Sequence, residues 1–355
     1  MLSLLLLELG IRILAPVELH ATDTYMTGRR VQSGSMILVP GVSARQKTSE
    51  FDVGIRINSE GMRDREFTRK KPPGIFRILV LGDSQTFGSG VEAHQTYCKV
   101  LERLLSERTR RKFEVINTGV PSSGTAHQLW ILEDKGWSFE PDMVVLGFFY
   151  NDFLDNMENR LYAIRGGQIV RLTRPVKEVT SLHEVLPQEV PRPDFRAIQL
   201  PEPIKPPQPP FLIRHSHLAR FARQAVANLL HSERARPVER IPARQITARY
   251  LEEVTRQCRE REVPYLILLI PSLQQYGDKR IITLSELWKR ELKGAVRSDR
   301  EIVDPWRTFE KHGFRRLFFP QDTHLRPDGH RLVAEALSER ILQHLRERKQ
   351  VSGRD

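Results

Sequence analysis

The chain has 355 residues, of which 39% are hydrophobic and 28% charged, and carries a formal net charge of +12. That length can bury a large core in one or two domains, and the composition excludes disordered and fibrous classes. The basic residues are scattered, as at Arg214, Arg220, Arg223, Arg234, Arg236, Arg240, Arg244 and Arg249. They are not clustered with aromatics on one face, so they read as a solvated basic surface with no nucleic-acid partner.

Residues 1–14 (MLSLLLLELGIRIL) are rich in leucine. The run falls short of the roughly 20 apolar residues of a spanning helix, carries Glu8 and Arg12, and lacks the basic leader of a signal peptide. Three readings stay open for residues 1–20: the tail of a membrane anchor that starts upstream, an interfacial amphipathic helix, or a terminal helix packed on the domain. The leucine density favours membrane association. Residues 21–71 form a polar arm, in which 53–58 alternates like an exposed strand before a turn at 59–61.

The domain proper spans 72–350. Residues 76–81 (FRILVL), closed by Gly82, have the branched apolar content of a buried strand. Helical spacing follows only at 97–108, then a strand at 113–117, a helix at 125–135 and a strand at 143–149. Residues 160–243 interrupt this rhythm, with nine prolines between 187 and 210. Proline at that density disfavours regular structure, so the region reads as an insertion serving as lid or substrate wall, with a helix at 218–230. The rhythm resumes with a helix at 245–261, a strand at 265–270, a helix at 281–292, a short strand at 302–304, a loop at 318–324 and a final helix at 328–347. Strands alternating with helices predict an α/β domain around a parallel sheet. Cys98 and Cys258 fall in predicted helices without partners at metal-ligand spacing, so both read as buried apolar residues.

Four features stand at the ends of predicted strands or in the loop before the last helix. They are Gly82-Asp83-Ser84, then Gly119, then Asn151-Asp152, then Asp322-Thr323-His324. Each type is ordinary in a turn when taken singly. In a parallel sheet, however, these positions gather along the carboxyl edge, where such folds bind ligands. A serine, a histidine beside a carboxylate and an amide donor together suit nucleophilic attack on a carbonyl.

The order GDSxTxG, Gly, Asn-Asp and Asp/His resembles the SGNH/GDSL hydrolase superfamily. The resemblance implies a three-layer flavodoxin-like sandwich with a central parallel sheet. It casts Ser84 as nucleophile, His324 as base and Asp322 as orienter. The Ser84 N–H, Gly119 N–H and Asn151 amide would form the oxyanion hole. Phe149 stands where the usual third block has glycine. The last block is Asp-x-His rather than Asp-x-x-His, which is similar to SGNH-like polysaccharide O-acetylation proteins and leaves Asp304 as a second candidate orienter. The leucine-rich terminus and the stretch Arg56-Ile57-Asn58…Gly61-Met62-Arg63 resemble bacterial members tethered at the membrane. The implied activity is a serine esterase of the cell envelope, membrane-associated or periplasmic, acting on a small-molecule, glycan or lipid ester without metal or organic cofactor. An O-acyltransferase using the same residues, and a binding protein that kept the fold alone, are the alternatives. A cytoplasmic location stays open.

Overall fold

The computed structural model describes residues 28–30, 36–158, 161–165, 168–172, 241–277, 283–296 and 298–352, with Ser3, Glu8 and Ser216 as isolated positions. The leucine-rich terminus beyond Ser3 and Glu8, the proline-rich stretch and the helix expected at 218–230 lie outside the described residues. Among the described residues no helix is long and apolar enough to cross a membrane.

The strands are β1 (Gly28–Arg30), β2 (Met36–Leu38), β3 (Ser43–Lys47), β4 (Asp52–Arg56), β5 (Ile75–Leu81), β6 (Lys112–Asn117), β7 (Met143–Phe148), β8 (Tyr162–Arg165), β9 (Gln168–Arg171), β10 (Tyr265–Leu269) and β11 (Ile302–Val303). The helices are α1 (Ser84–Phe87), α2 (Tyr97–Thr109), α3 (Thr125–Asp134), α4 (Asp152–Glu158), α5 (Ile241–Glu260), α6 (Leu273–Gly277), α7 (Leu284–Leu287), α8 (Trp306–Lys311) and α9 (Pro327–Ser352).

Five strands form one parallel sheet in the order β11-β10-β7-β5-β6. β5 therefore has its sequence successors β6 and β7 on opposite sides. This is the doubly wound, flavodoxin-like order, and β5 marks the switch point where a crevice opens at the carboxyl ends. The side chains of β5 alternate between two cores. Leu79 and Leu81 pack with Leu129 of α3 and Leu251 of α5; Ile78 and Val80 pack with Leu101 of α2 and Leu337 of α9. Because helices cover both faces, the strand is apolar on both faces rather than alternating, apart from Arg77, which is buried and donates from Nε to Glu114 Oε2 at 2.6 Å. Cys98 and Cys258 are buried, free thiols in α2 and α5.

Three pairs of short strands (β1–β2, β3–β4 and β8–β9) lie outside this sheet as antiparallel hairpins. β4 covers most of the strand expected at 53–58; its partner β3 was not expected. The helix expected at 281–292 is a single α-turn, α7, continued by a π-helical turn at Trp288–Leu292.

Candidate active site

Ser84 does not wait for a distant helix. It is the first residue of α1, a single turn that begins immediately after β5. Asp83 caps that turn by accepting the Gln85 N–H at 2.9 Å. Gly88, at φ 83°, ends it. Gly82 has to be glycine, since a Cβ there would lie 1.8 Å from Thr86 Oγ1. The tight strand-to-helix turn leaves Ser84 half-exposed among buried neighbours.

His324 comes from the loop before α9. Its Nε2 lies 2.7 Å from Ser84 Oγ. Its Nδ1 lies 2.5 Å from Asp322 Oδ1. The short Asp-x-His spacing works because Thr323 adopts φ 67°, a left-handed bend that folds the two side chains onto one another. A β-branched residue is strained there by about 1–3 kcal/mol, so the surroundings must hold it. The Thr323 N–H donates to Phe319 O at 2.9 Å, and Thr323 Oγ1 accepts from Gln274 Nε2 at 3.1 Å. Asp304, the second candidate orienter, accepts the Trp306 N–H at 3.0 Å and starts α8 instead. His330 is buried with Nδ1 accepting the Tyr97 N–H at 3.2 Å, and burial lowers its pKa to about 3. It is a neutral structural imidazole beneath the site.

Asn151 precedes α4 at the end of β7. Its Nδ2 donates to Asp155 Oδ2 at 3.0 Å, which fixes the amide plane and leaves the second amide hydrogen unused by that bond. Phe149, in the place of a glycine, is buried in the core shared by α2 and α9. Gly119 has a different job from the one expected. Its N–H donates to Asn117 Oδ1 at 3.0 Å and so is already engaged. A Cβ on Gly119 would lie 2.3 Å from Phe87 N, so glycine here lets the loop after β6 pass directly beneath α1.

The loop after β6 continues through Ser123, whose Oγ donates to Val120 O at 2.6 Å and lies 3.3 Å from Gly82 O. Gly124 follows, and a Cβ there would lie 2.7 Å from Asn156 Oδ1 and 3.0 Å from Asp155 Cβ. Gly124 thus sits between the turn that carries Ser84 and α4, and its N–H has no acceptor among the described residues. The sequence reading singles out Gly119 and does not name Gly124. The signal was the Asn117-x-Gly119 spacing, which suits a side-chain turn that uses up the Gly119 N–H.

Under the serine lie two fully buried carboxyls. Burial raises Asp83 to about 6, opposed by the Gln85 N–H and by His324. Burial and then the nearby Asp83 raise Asp152 well above the usual carboxylate range. Asp152 Oδ2 accepts from Thr125 Oγ1 at 2.9 Å, joining the starts of α3 and α4.

The model of the GDSL-like lipase/acylhydrolase family matches residues 78–337. The chain belongs to that family. As a GDSL hydrolase of the SGNH superfamily it acts on ester bonds, and the matched span runs from β5 to the middle of α9. Several solved structures are similar to this GDSL hydrolase. One is LAE5, an α/β hydrolase from the metagenome of Lake Arreo, Spain, at 13% identity and TM-score 0.43, covering 74% of this chain and 94% of that one. Another is the psychrotrophic esterase EstA from a Pseudoalteromonas species, at 12% identity and TM-score 0.41, covering 76% and 99%. A third is TesA, at 14% identity and TM-score 0.42, covering 75% and 97%. No curated protein matches the chain.

Proposed function

We propose that this hydrolase is a serine esterase in which Ser84 attacks the ester carbonyl, His324 is the general base and Asp322 orients the imidazole. The observation that carries the reading is the continuous line from Asp322 Oδ1 to His324 Nδ1 at 2.5 Å and from His324 Nε2 to Ser84 Oγ at 2.7 Å. A carboxylate on Nδ1 favours the tautomer with its proton there, so Nε2 is free to take the serine proton. The tetrahedral oxyanion is met by the Ser84 N–H, the free hydrogen of Asn151 Nδ2 and, in place of Gly119, the Gly124 N–H. His324 returns the proton to the departing alcohol, leaving an acyl-serine. Water, deprotonated by His324, then releases the acid and restores Ser84. Every proton is held by groups of the chain or by water, so the cycle needs no cofactor.

The ester we propose is an acetyl or short acyl group on a carbohydrate or lipid at the cell envelope, an expectation supported by the resemblance to membrane-tethered members. The Asp-x-His spacing supports a second reading, in which a sugar hydroxyl replaces water and the acyl group is transferred. Hydrolysis of a p-nitrophenyl ester series by wild type and Ser84→Ala tests the first reading. Activity on short chains, abolished in the variant, supports it, and equal activity in both overturns it. Acetyl release measured against acetyl transfer onto an oligosaccharide separates hydrolase from transferase.

A further inference from the structure

The arm that precedes the domain reaches both halves of the site. Gln46 of β3 accepts the Gly90 N–H at 3.1 Å through Oε1. The turn between β3 and β4 places Glu50 against the histidine loop, where its carboxylate accepts the Gln321 N–H at 3.1 Å and the Asp322 N–H at 2.8 Å. The Phe51 ring lies 4.9 Å from that of Phe319, the residue whose N–H donates to His324 O at 2.9 Å.

Arg63, a few residues beyond β4, grips the other half. It is 1% exposed. One terminal nitrogen donates to Phe87 O at 3.1 Å and Gly88 O at 2.5 Å, the carbonyls that close α1. The other donates to Gly54 O at 3.1 Å and Val91 O at 2.6 Å. Its guanidinium carbon also stands 5.0 Å over the Phe87 ring. Among the described residues it makes no ion pair; burial lowers its pKa to about 10. A planar fork of donors meets four carbonyls in a way a lysine cannot.

We propose that this arm is a brace that sets the approach of Ser84 to His324, with Glu50 and Arg63 as its positioning residues. The inference rests on the reading of Ser84 and His324 as nucleophile and base. Arg63 fixes the end of the turn that carries the serine. Glu50 holds the backbone of Asp322 next to the left-handed Thr323, where a strained loop needs outside contacts to keep one geometry. Neither touches the reacting atoms. Glu50 acts through the backbone of Asp322 and Arg63 through the end of the turn that carries Ser84, so their loss lowers the rate of the chemical step rather than binding.

The test measures labelling by a fluorophosphonate probe, and kcat and KM on p-nitrophenyl acetate, for the full chain as wild type, Glu50→Ala, Glu50→Gln and Arg63→Lys, with melting temperatures alongside. Glu50 is only half-buried, so its variants report even where a buried Arg63→Lys fails to fold. The brace predicts that Glu50→Ala lowers labelling rate and kcat about 10- to 100-fold at unchanged KM and melting temperature. It predicts that Glu50→Gln, which keeps the acceptor oxygen, restores most of both. Glu50→Ala at wild-type rates overturns the brace and leaves the active site standing. Equal loss in Glu50→Ala and Glu50→Gln assigns the effect to charge and also overturns it. A folded wild-type protein that takes no label removes the active-site reading itself, and the brace with it.

Discussion

Gln85 Oε1 accepts the Leu325 N–H at 3.1 Å, so the residue after the serine is bonded to the residue after the histidine. The two loops come from opposite ends of the domain, and this bond crosses between them directly behind the Ser84–His324 contact. Gln85 is buried, and its removal leaves the Leu325 N–H unpaired. Gln85→Ala should cost about 1–3 kcal/mol of stability and lower kcat about tenfold with KM unchanged. Denaturant unfolding and steady-state kinetics on one short ester check both numbers. An unchanged kcat would show that the loops are aligned without this bond.

The buried carboxyls predict a stability that falls with rising pH. Burial raises Asp83 to about 6, and burial and Asp83 raise Asp152. The folded chain therefore keeps protons that the unfolded chain releases above about pH 4. Their contribution is fully present below that pH; that of Asp83 is lost as pH climbs through about 6, and that of Asp152 is lost as pH rises through its own raised pKa. Asp152→Asn removes the need for a proton at one of the two sites. It should melt above wild type at pH 8, with the gap closing towards pH 5. A gap independent of pH would mean that both carboxyls stay ionised in the fold.

Gly119 should not tolerate a side chain. Gly119→Ala drives a methyl to within 2.3 Å of Phe87 N, backbone that cannot swing away. The expected cost is about 1–3 kcal/mol of stability together with lost activity, because α1 must shift. Thermal unfolding and kinetics check it, and a variant with wild-type melting and kcat would contradict the close packing under α1.

The main sheet was legible because β5, β7 and β10 are largely apolar runs, the pattern left by burial on both faces, and β6 carries Phe113, Val115 and Ile116. Ser84, Asn151 and His324 were legible because they fall where those runs end or just before the last helix. β3 was not: Ser43–Lys47 contains one buried side chain, Gln46, and is a strand only because β4 and Gly90 pair with it. α1 spans one turn, too short for helical periodicity to appear. That the Gly119 N–H is taken up by Asn117 Oδ1 depends on where the Asn117 side chain turns, which spacing alone does not fix. The contacts of Glu50 and Arg63 with the site were not legible in a polar arm, since their partners are backbone groups as far as 272 residues away.

Asn151→Ala should remove one oxyanion donor and leave its neighbours in place. The expected loss is about 3 kcal/mol of transition-state stabilisation, some hundredfold in kcat, with KM little changed. Asn151 is not fully buried and its side-chain hydrogen bond among the described residues is to Asp155, so melting should move little. A loss confined to KM would place the amide on the substrate rather than on the oxyanion.

The most direct measurement is the covalent intermediate. Wild-type protein mixed with p-nitrophenyl acetate and quenched in acid within the first turnover should carry one acetyl group, mapped by peptide mass spectrometry to Ser84. His324→Ala should form that adduct at least ~10⁴-fold more slowly, and Ser84→Ala not at all. Acetyl release in step with p-nitrophenol and no adduct on Ser84, or an adduct formed equally fast without His324, would contradict the account.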